Sequence, residues 1–175
     1  MADSPSTTNY FQGTGYAKFT PTDGVERDFG NIVECEITPA QDKLEHKKNR
    51  GGSKRVDYTQ FNNQSAQFRI VLDEITADNL GLALMSDVVV NTDGTKSIRI
   101  MSKSVITGSL EFIGDNDVGN KVHGYFPSVS FSPTGSFSPI EDTDFGQIEL
   151  TADLLAVTYT DGITDFGQMV VTEAS

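Results

Sequence analysis

The sequence contains no tryptophan, one cysteine, two histidines and thirteen lysines and arginines among 175 residues. Each scarcity closes off a class of function. Without Trp and with five Tyr, the chain lacks the aromatic lining that a sugar cleft uses. Cys35 has no partner for an internal disulfide, and its place in Ile32-Val33-Glu34-Cys35-Glu36-Ile37 predicts a packed thiol. His46, His123 and Cys35 stand too far apart for zinc-ligand spacing, so no metal is predicted. No apolar run approaches the roughly twenty residues of a membrane-spanning helix, and Met1 to Asn9 carries neither a basic n-region nor an apolar h-region. The expectation is a soluble protein made in a reducing compartment, without cofactor.

The few bases are not spread evenly. Lys43, Lys47, Lys48, Arg50, Lys54 and Arg55 fall within thirteen positions around Gly51-Gly52, accompanied by one acid, Glu45. The chain carries a formal charge of −12, of which this window holds +5, so the rest holds −17. An acidic surface of that size opposes duplex binding, which needs many clustered cations. A cationic segment on an anionic body is instead complementary to a second copy of itself. Head-to-tail contact between unlike patches of identical subunits does not close on itself and propagates into a filament.

Along the chain, residues 1–9 are rich in Ser, Thr, Pro and Asn and read as a flexible arm that orders against a partner. Residues 10–175 read as one domain. Short alternating runs predict strands at 16–20 and 30–38, joined as a hairpin through Pro21-Thr22-Asp23-Gly24 and closed by Pro39. The polar stretch from Ala40 to about Asn63 reads as a long loop, too long to be an idle connection. A strand follows with Ala66, Phe68, Ile70 and Leu72 on one side and Gln67, Arg69 and Asp73 on the other. Ala77, Leu80, Gly81 and Leu84 recur at helical spacing behind Thr76 as N-cap, which predicts the one substantial helix over 76–85.

Val88 to Val90 and Lys96 to Met101 flank an Asn91-Thr92-Asp93-Gly94 turn and form a second hairpin. Further strands are predicted at 104–113, 122–131, 147–158 and 167–172. In the longest, Ile148, Leu150, Ala152 and Leu154 face inward while Glu149, Thr151 and Asp153 face out. Many strands with one helix predict a mainly β domain, a two-sheet β-sandwich or barrel with a flanking helix and a long loop at about 40–63.

Asp-Phe-Gly occurs three times, beginning at Asp28, Asp144 and Asp165. The tripeptide is also the magnesium signature of protein kinases, but no Gly-rich loop or His-Arg-Asp segment accompanies it. Each copy precedes a strand, so it reads as a turn in which Gly relaxes the backbone and Phe anchors it. The carboxylate pairs Glu34 with Glu36 and Glu149 with Asp153 read as a solvated acidic face rather than a catalytic dyad. No catalytic residue is predicted.

The order of elements then becomes specific. A hairpin ends in Glu-x-Thr-Pro; a long segment begins Asp42-Lys43-Leu44-Glu45-His46-Lys47-Lys48 and runs through Arg50-Gly51-Gly52-Ser53-Lys54. Next comes Leu72-Asp73-Glu74-Ile75-Thr76, leading from strand to helix. Over residues 32–90 this resembles the major tail tube proteins of long-tailed bacteriophages. The resemblance implies a two-sheet β fold with a flanking helix, assembled as hexameric rings stacked into a hollow tube in which the inner sheets join as a continuous barrel with an acidic lumen. It implies inter-ring contacts through the long loop, here Lys43, Glu45, His46, Lys47, Lys48, Arg50, Lys54 and Arg55. It further implies tape-measure, tail tip and tail terminator proteins as partners, DNA in transit without sequence-specific binding, and a place in the virion after synthesis in the bacterial cytoplasm. Outward-facing Glu34, Glu36, Glu111, Glu149 and Asp153 are the candidate lumen carboxylates. A β-sandwich adhesion or decoration module, monomeric or trimeric, is the alternative.

Overall fold

The structure is a computed structural model that describes residues 9–133, 137 and 145–173. Residues 1–8 of the expected 1–9 arm, and Asp144 of the second Asp-Phe-Gly copy, lie outside the described residues. Twelve strands and one helix follow in order: β1 Gly13–Pro21, β2 Arg27–Asp28, β3 Ile32–Lys48, β4 Arg55–Leu72, α1 Ala77–Ala83, β5 Val88–Val90, β6 Lys96–Ile98, β7 Ile106–Asn116, β8 Lys121–Ser132, β9 Ile148–Leu154, β10 Val157–Thr158, β11 Thr164–Asp165 and β12 Gln168–Thr172. Eight of the strands form one antiparallel sheet in the order β2-β1-β7-β8-β9-β4-β3, with β12 also paired to β8. The strands at its two ends, β2 and β3, are separated in sequence by only residues 29–31. The sheet therefore curls until its ends meet.

That curl encloses a single core. Inward positions of β1 (Phe19), β4 (Phe68, Ile70, Leu72), β7 (Leu110), β8 (Phe126, Val129, Phe131) and β9 (Ile148, Leu150, Ala152, Leu154) are all buried in one cluster. The fold is the expected mainly β sandwich or barrel with one flanking helix. Phe19 meets Phe131 edge to face at 4.9 Å, and Phe68 lies 5.5 Å from Phe126. Such pairs add to the burial of their ring area. Gly108 lets β1 and β7 close up, because a Cβ there would stand 2.1 Å from the Thr20 carbonyl oxygen.

Several expectations change at this level. The predicted first hairpin is absent: β1 pairs with β7 along its full length and with the short β2 through Lys18 and Phe19, while β3, its predicted partner, pairs with β4. The strand expected to close at Pro39 continues to Lys48 and pairs with β4 along its whole course. Pro39 is tolerated because β3 is an edge strand, where a missing N–H costs no ladder bond. The segment expected as a loop at about 40–63 is thus mostly strand, with only 49–54 left as a turn.

The helix keeps its predicted cap, the Thr76 hydroxyl accepting from the Asn79 N–H at 3.1 Å. Its buried residues are Asn79, Gly81 and Leu82; of the predicted stripe, Gly81 is buried and Leu80 packs against the core, while Ala77 and Leu84 are only half-buried. Asn79, outside that stripe, is held by hydrogen bonds. Its side-chain amide donates to the Phe29 carbonyl (2.8 Å) and the Glu74 carbonyl (3.1 Å), and its Oδ1 accepts from Arg27 (3.2 Å). A buried amide with these partners ties the β2–β3 connection to the start of the helix. Arg27 in turn lies over the rings of Phe19 and Phe29.

The two Asp-Phe-Gly copies within the described residues share the predicted turn. Gly30 N–H donates to Asp28 Oδ1 at 2.8 Å and Gly167 N–H to Asp165 Oδ1 at 3.0 Å. Gly30 has φ +84 and Gly167 φ +134, backbone that favours glycine. Phe29 is fully buried and Phe166 packs against the core, so each Phe anchors its turn.

Candidate assembly surface

β4 pairs with β9 only as far back as Ala66. Before that residue it pairs with β3 alone, so residues 40–65 form a two-stranded ribbon leaving the body of the sheet. Nine residues of β3, Ala40 to Lys48, at about 3.4 Å each carry the ribbon roughly 30 Å outward. Every residue from Ala40 to Ser65 is exposed. Register shifts at Asp42/Lys43 and His46/Lys47 add bulges that bend and twist the arm. At its tip, Gly51 and Gly52 adopt φ +89 and +103 with open space around them.

The predicted contact residues all lie on this arm. Lys43, Glu45, His46, Lys47 and Lys48 occupy the outer half of β3, Arg50 and Lys54 the tip, and Arg55 the start of β4. Lys43 Nζ bonds Glu45 at 2.8 Å. This hydrogen bond holds the Glu45 carboxyl below its usual range and the Lys43 ammonium above its own. His46 Nδ1 meets Asp57, the extra residue of the second bulge. Lys47, Lys48, Arg50, Lys54 and Arg55 enter no ion pair among the described residues, so five cations are left uncompensated. Leu44, Val56, Tyr58 and Phe61 stand among them with 59%, 47%, 62% and 61% of their surface exposed. The sequence reading found the charges and missed these apolar companions, since only the ladder register shows them to be side by side.

The predicted carboxylates lie on the outer face of the curled sheet. Three converge on a residue the sequence reading placed outward but gave no role. Arg69 on β4 grips Glu149 of β9 with two nitrogens, Nε at 3.1 Å and Nη2 at 3.2 Å, and Glu34 of β3 with Nη1 at 2.9 Å; Glu36 stands 3.9 Å away. The fork geometry matches guanidinium to carboxylate. The bonds to Glu149 and then Glu34 raise the Arg69 pKa further above its usual value. Three carboxylates around one guanidinium leave two negative charges in excess.

Thr151, expected to be exposed, is buried, with Arg69 and Ser132 as its ladder partners on either side. Asp153 accepts from Gln67 at 3.1 Å, and Glu111 meets His123 Nε2 at 2.8 Å across β7 and β8.

A cavity of about 330 Å³ opens between the start of β1 and the start of β3, lined by Phe11, Ile32, Val33, Cys35 and Phe112. Cys35 is half-buried and packs against the core, as its sequence context predicts, and burial pushes its thiol up to about 11. No group of three or more His, Cys, Asp and Glu residues is placed to hold a metal ion among the described residues.

Among solved structures, the chain resembles a component of the cryo-EM structure of the anti-feeding prophage (AFP) baseplate, 6-fold symmetrised, with a TM-score of 0.44 and 7% sequence identity over 97% of each chain. No curated protein matches it. The family model described as "Protein of unknown function UCP028589" matches residues 8–111, from before β1 through the arm and α1 into β7, and the chain belongs to that family.

Proposed function

We propose that this protein is a structural virion protein that polymerises as stacked hexameric rings into the hollow tail tube of a bacteriophage. The observation that carries the reading is the arm. A two-stranded ribbon is marginal in water on its own, and this one extends from the body with five cations that enter no ion pair among the described residues and four exposed apolar side chains. It is built to be covered. The only anionic surface of matching size on hand is the body of another copy, which carries the balance of the −12 net charge.

Because the arm and the acidic body are different patches, the contact is heterologous and propagates. Along the arm, β3 has no partner strand on its outer side, and an open edge of that kind favours lateral strand pairing with another copy. The sequence resemblance to major tail tube proteins supports the same reading.

In this reading Glu34, Glu36, Glu111, Glu149 and Asp153 supply an acidic lumen. DNA carries one charge per ~1.7 Å of axis, and carboxylates repel it where lysines would hold it at every ring. DNA passes during ejection without specific contacts, and tape-measure, tail tip and tail terminator proteins meet the tube along its bore and at its ends. The protein performs no catalysis.

The test is the triple reversal Lys47→Glu, Lys48→Glu, Arg50→Glu, which takes the 43–55 window from +5 to −1. The expected product is a folded monomer, seen by circular dichroism, that electron microscopy finds unable to form tubes. Normal tubes from this variant defeat the reading.

A further inference from the structure

The register of the arm separates its side chains into two faces. Alternation along each strand, corrected for the bulge at Asp57, puts Lys43, Glu45 and Lys47 with Val56, Thr59 and Phe61 on one face. Leu44, His46 and Lys48 share the other with Arg55, Tyr58 and Gln60. The Lys43–Glu45 ion pair lies within the first face, as this assignment requires. Each face therefore presents two large exposed apolar side chains beside two or more cations. A ribbon that docks through one side normally keeps its other side polar, because alternation allows the two to differ at no cost. This arm does not differ from side to side.

We infer that each arm is clasped on both faces by two further copies of this chain, lying in the cleft between neighbouring subunits rather than along the flank of one. The inference rests on the self-assembly reading above and adds to it the number of partners per arm. Charge selects the occupant: with Arg50 and Lys54 at the tip, the ribbon 40–65 carries six bases against Asp42, Glu45 and Asp57, and the body of a second copy is the anionic surface that fits it. Apolar contact on each side excludes water from the ion pairs, which exposed pairs lack and which makes them count.

Adjacent residues that point to opposite faces provide the test. Thr59→Cys and Gln60→Cys, each in a Cys35→Ala background, place one thiol on each face at exposed positions. A maleimide reagent labels both in the monomer. In assembled tubes both are expected to label about tenfold more slowly or less, since reaction then requires local opening of the contact.

Independently, Val56→Ser with Phe61→Ser, and Leu44→Ser with Tyr58→Ser, should each raise the concentration needed for assembly. Tubes in which one of the two thiols labels at the monomer rate, or in which one serine pair assembles normally, overturn the two-sided contact and leave the tube reading standing. Failure of the parent protein to assemble under any condition overturns both.

Discussion

Replacing Asn79 by alanine tests the packing logic of the fold quantitatively. The side chain is 1% exposed and makes three hydrogen bonds: two donated to the carbonyls of Phe29 and Glu74, and one accepted from the guanidinium of Arg27. A neutral hydrogen bond contributes about 1 kcal/mol net and one to a charged group roughly 1.5–3 kcal/mol. Alanine removes all three and leaves two carbonyls short of a donor in a confined space. The Thr76 cap survives because it uses the backbone N–H of residue 79.

The expected loss is about 4 kcal/mol. In a domain of this size each kcal/mol moves the midpoint by ~2–4 °C, so Tm should fall by roughly 8–16 °C. Urea titration at equilibrium measures the free energy directly, with an unchanged m-value showing that the unfolded state is not altered. A loss below about 1 kcal/mol would refute the claim that this amide fastens the β2–β3 connection to the helix.

Two further outcomes follow from the ionisable groups. With its thiol raised to about 11 by burial, Cys35 should resist a disulfide reagent at pH 8 in the native protein and react fully in denaturant; rapid native labelling would contradict its packed position. Asp115 is held below the usual carboxyl range by Lys121, whose Nζ lies 2.6 Å away. A depressed native pKa gives stability that is present above the unfolded value of 3.8 and lost as pH falls through the native one. Asp115→Asn should therefore flatten the acid limb of a stability-versus-pH curve below about pH 4, and an unchanged limb would show the pair to be idle.

What the sequence shows and what it hides divide along one physical line. Alternation is legible where one side of a strand meets the core of its own chain, as in Ile148, Leu150, Ala152 and Leu154, or Phe68, Ile70 and Leu72. The Thr76 cap, the Asn91-to-Gly94 hairpin and the Asp-Phe-Gly turns are legible because each is a local backbone preference. The arm reads as loop because neither of its sides is buried by this chain, so no two-residue apolar rhythm marks it. Partner choice is equally hidden: β1 passes over its sequence neighbours to pair with β7. Arg69 and Glu149, eighty positions apart, meet only because the sheet brings β4 beside β9. Asn79 breaks the apolar stripe of the helix because hydrogen bonding outweighs hydropathy at that position.

The long separation between β1 and β7 bears on how the protein is made. Gly13 pairs with Asn116, so about a hundred residues must be synthesised before the first strand finds its partner, some 5–20 s at ordinary rates of translation. The β3–β4 ladder suffers no such wait, since its two strands leave the ribosome in succession across a six-residue turn. Local pairing of this kind forms fastest. The two strands of the ribbon are thus free to pair early on the nascent chain, while the body that must stabilise their pairing is still incomplete.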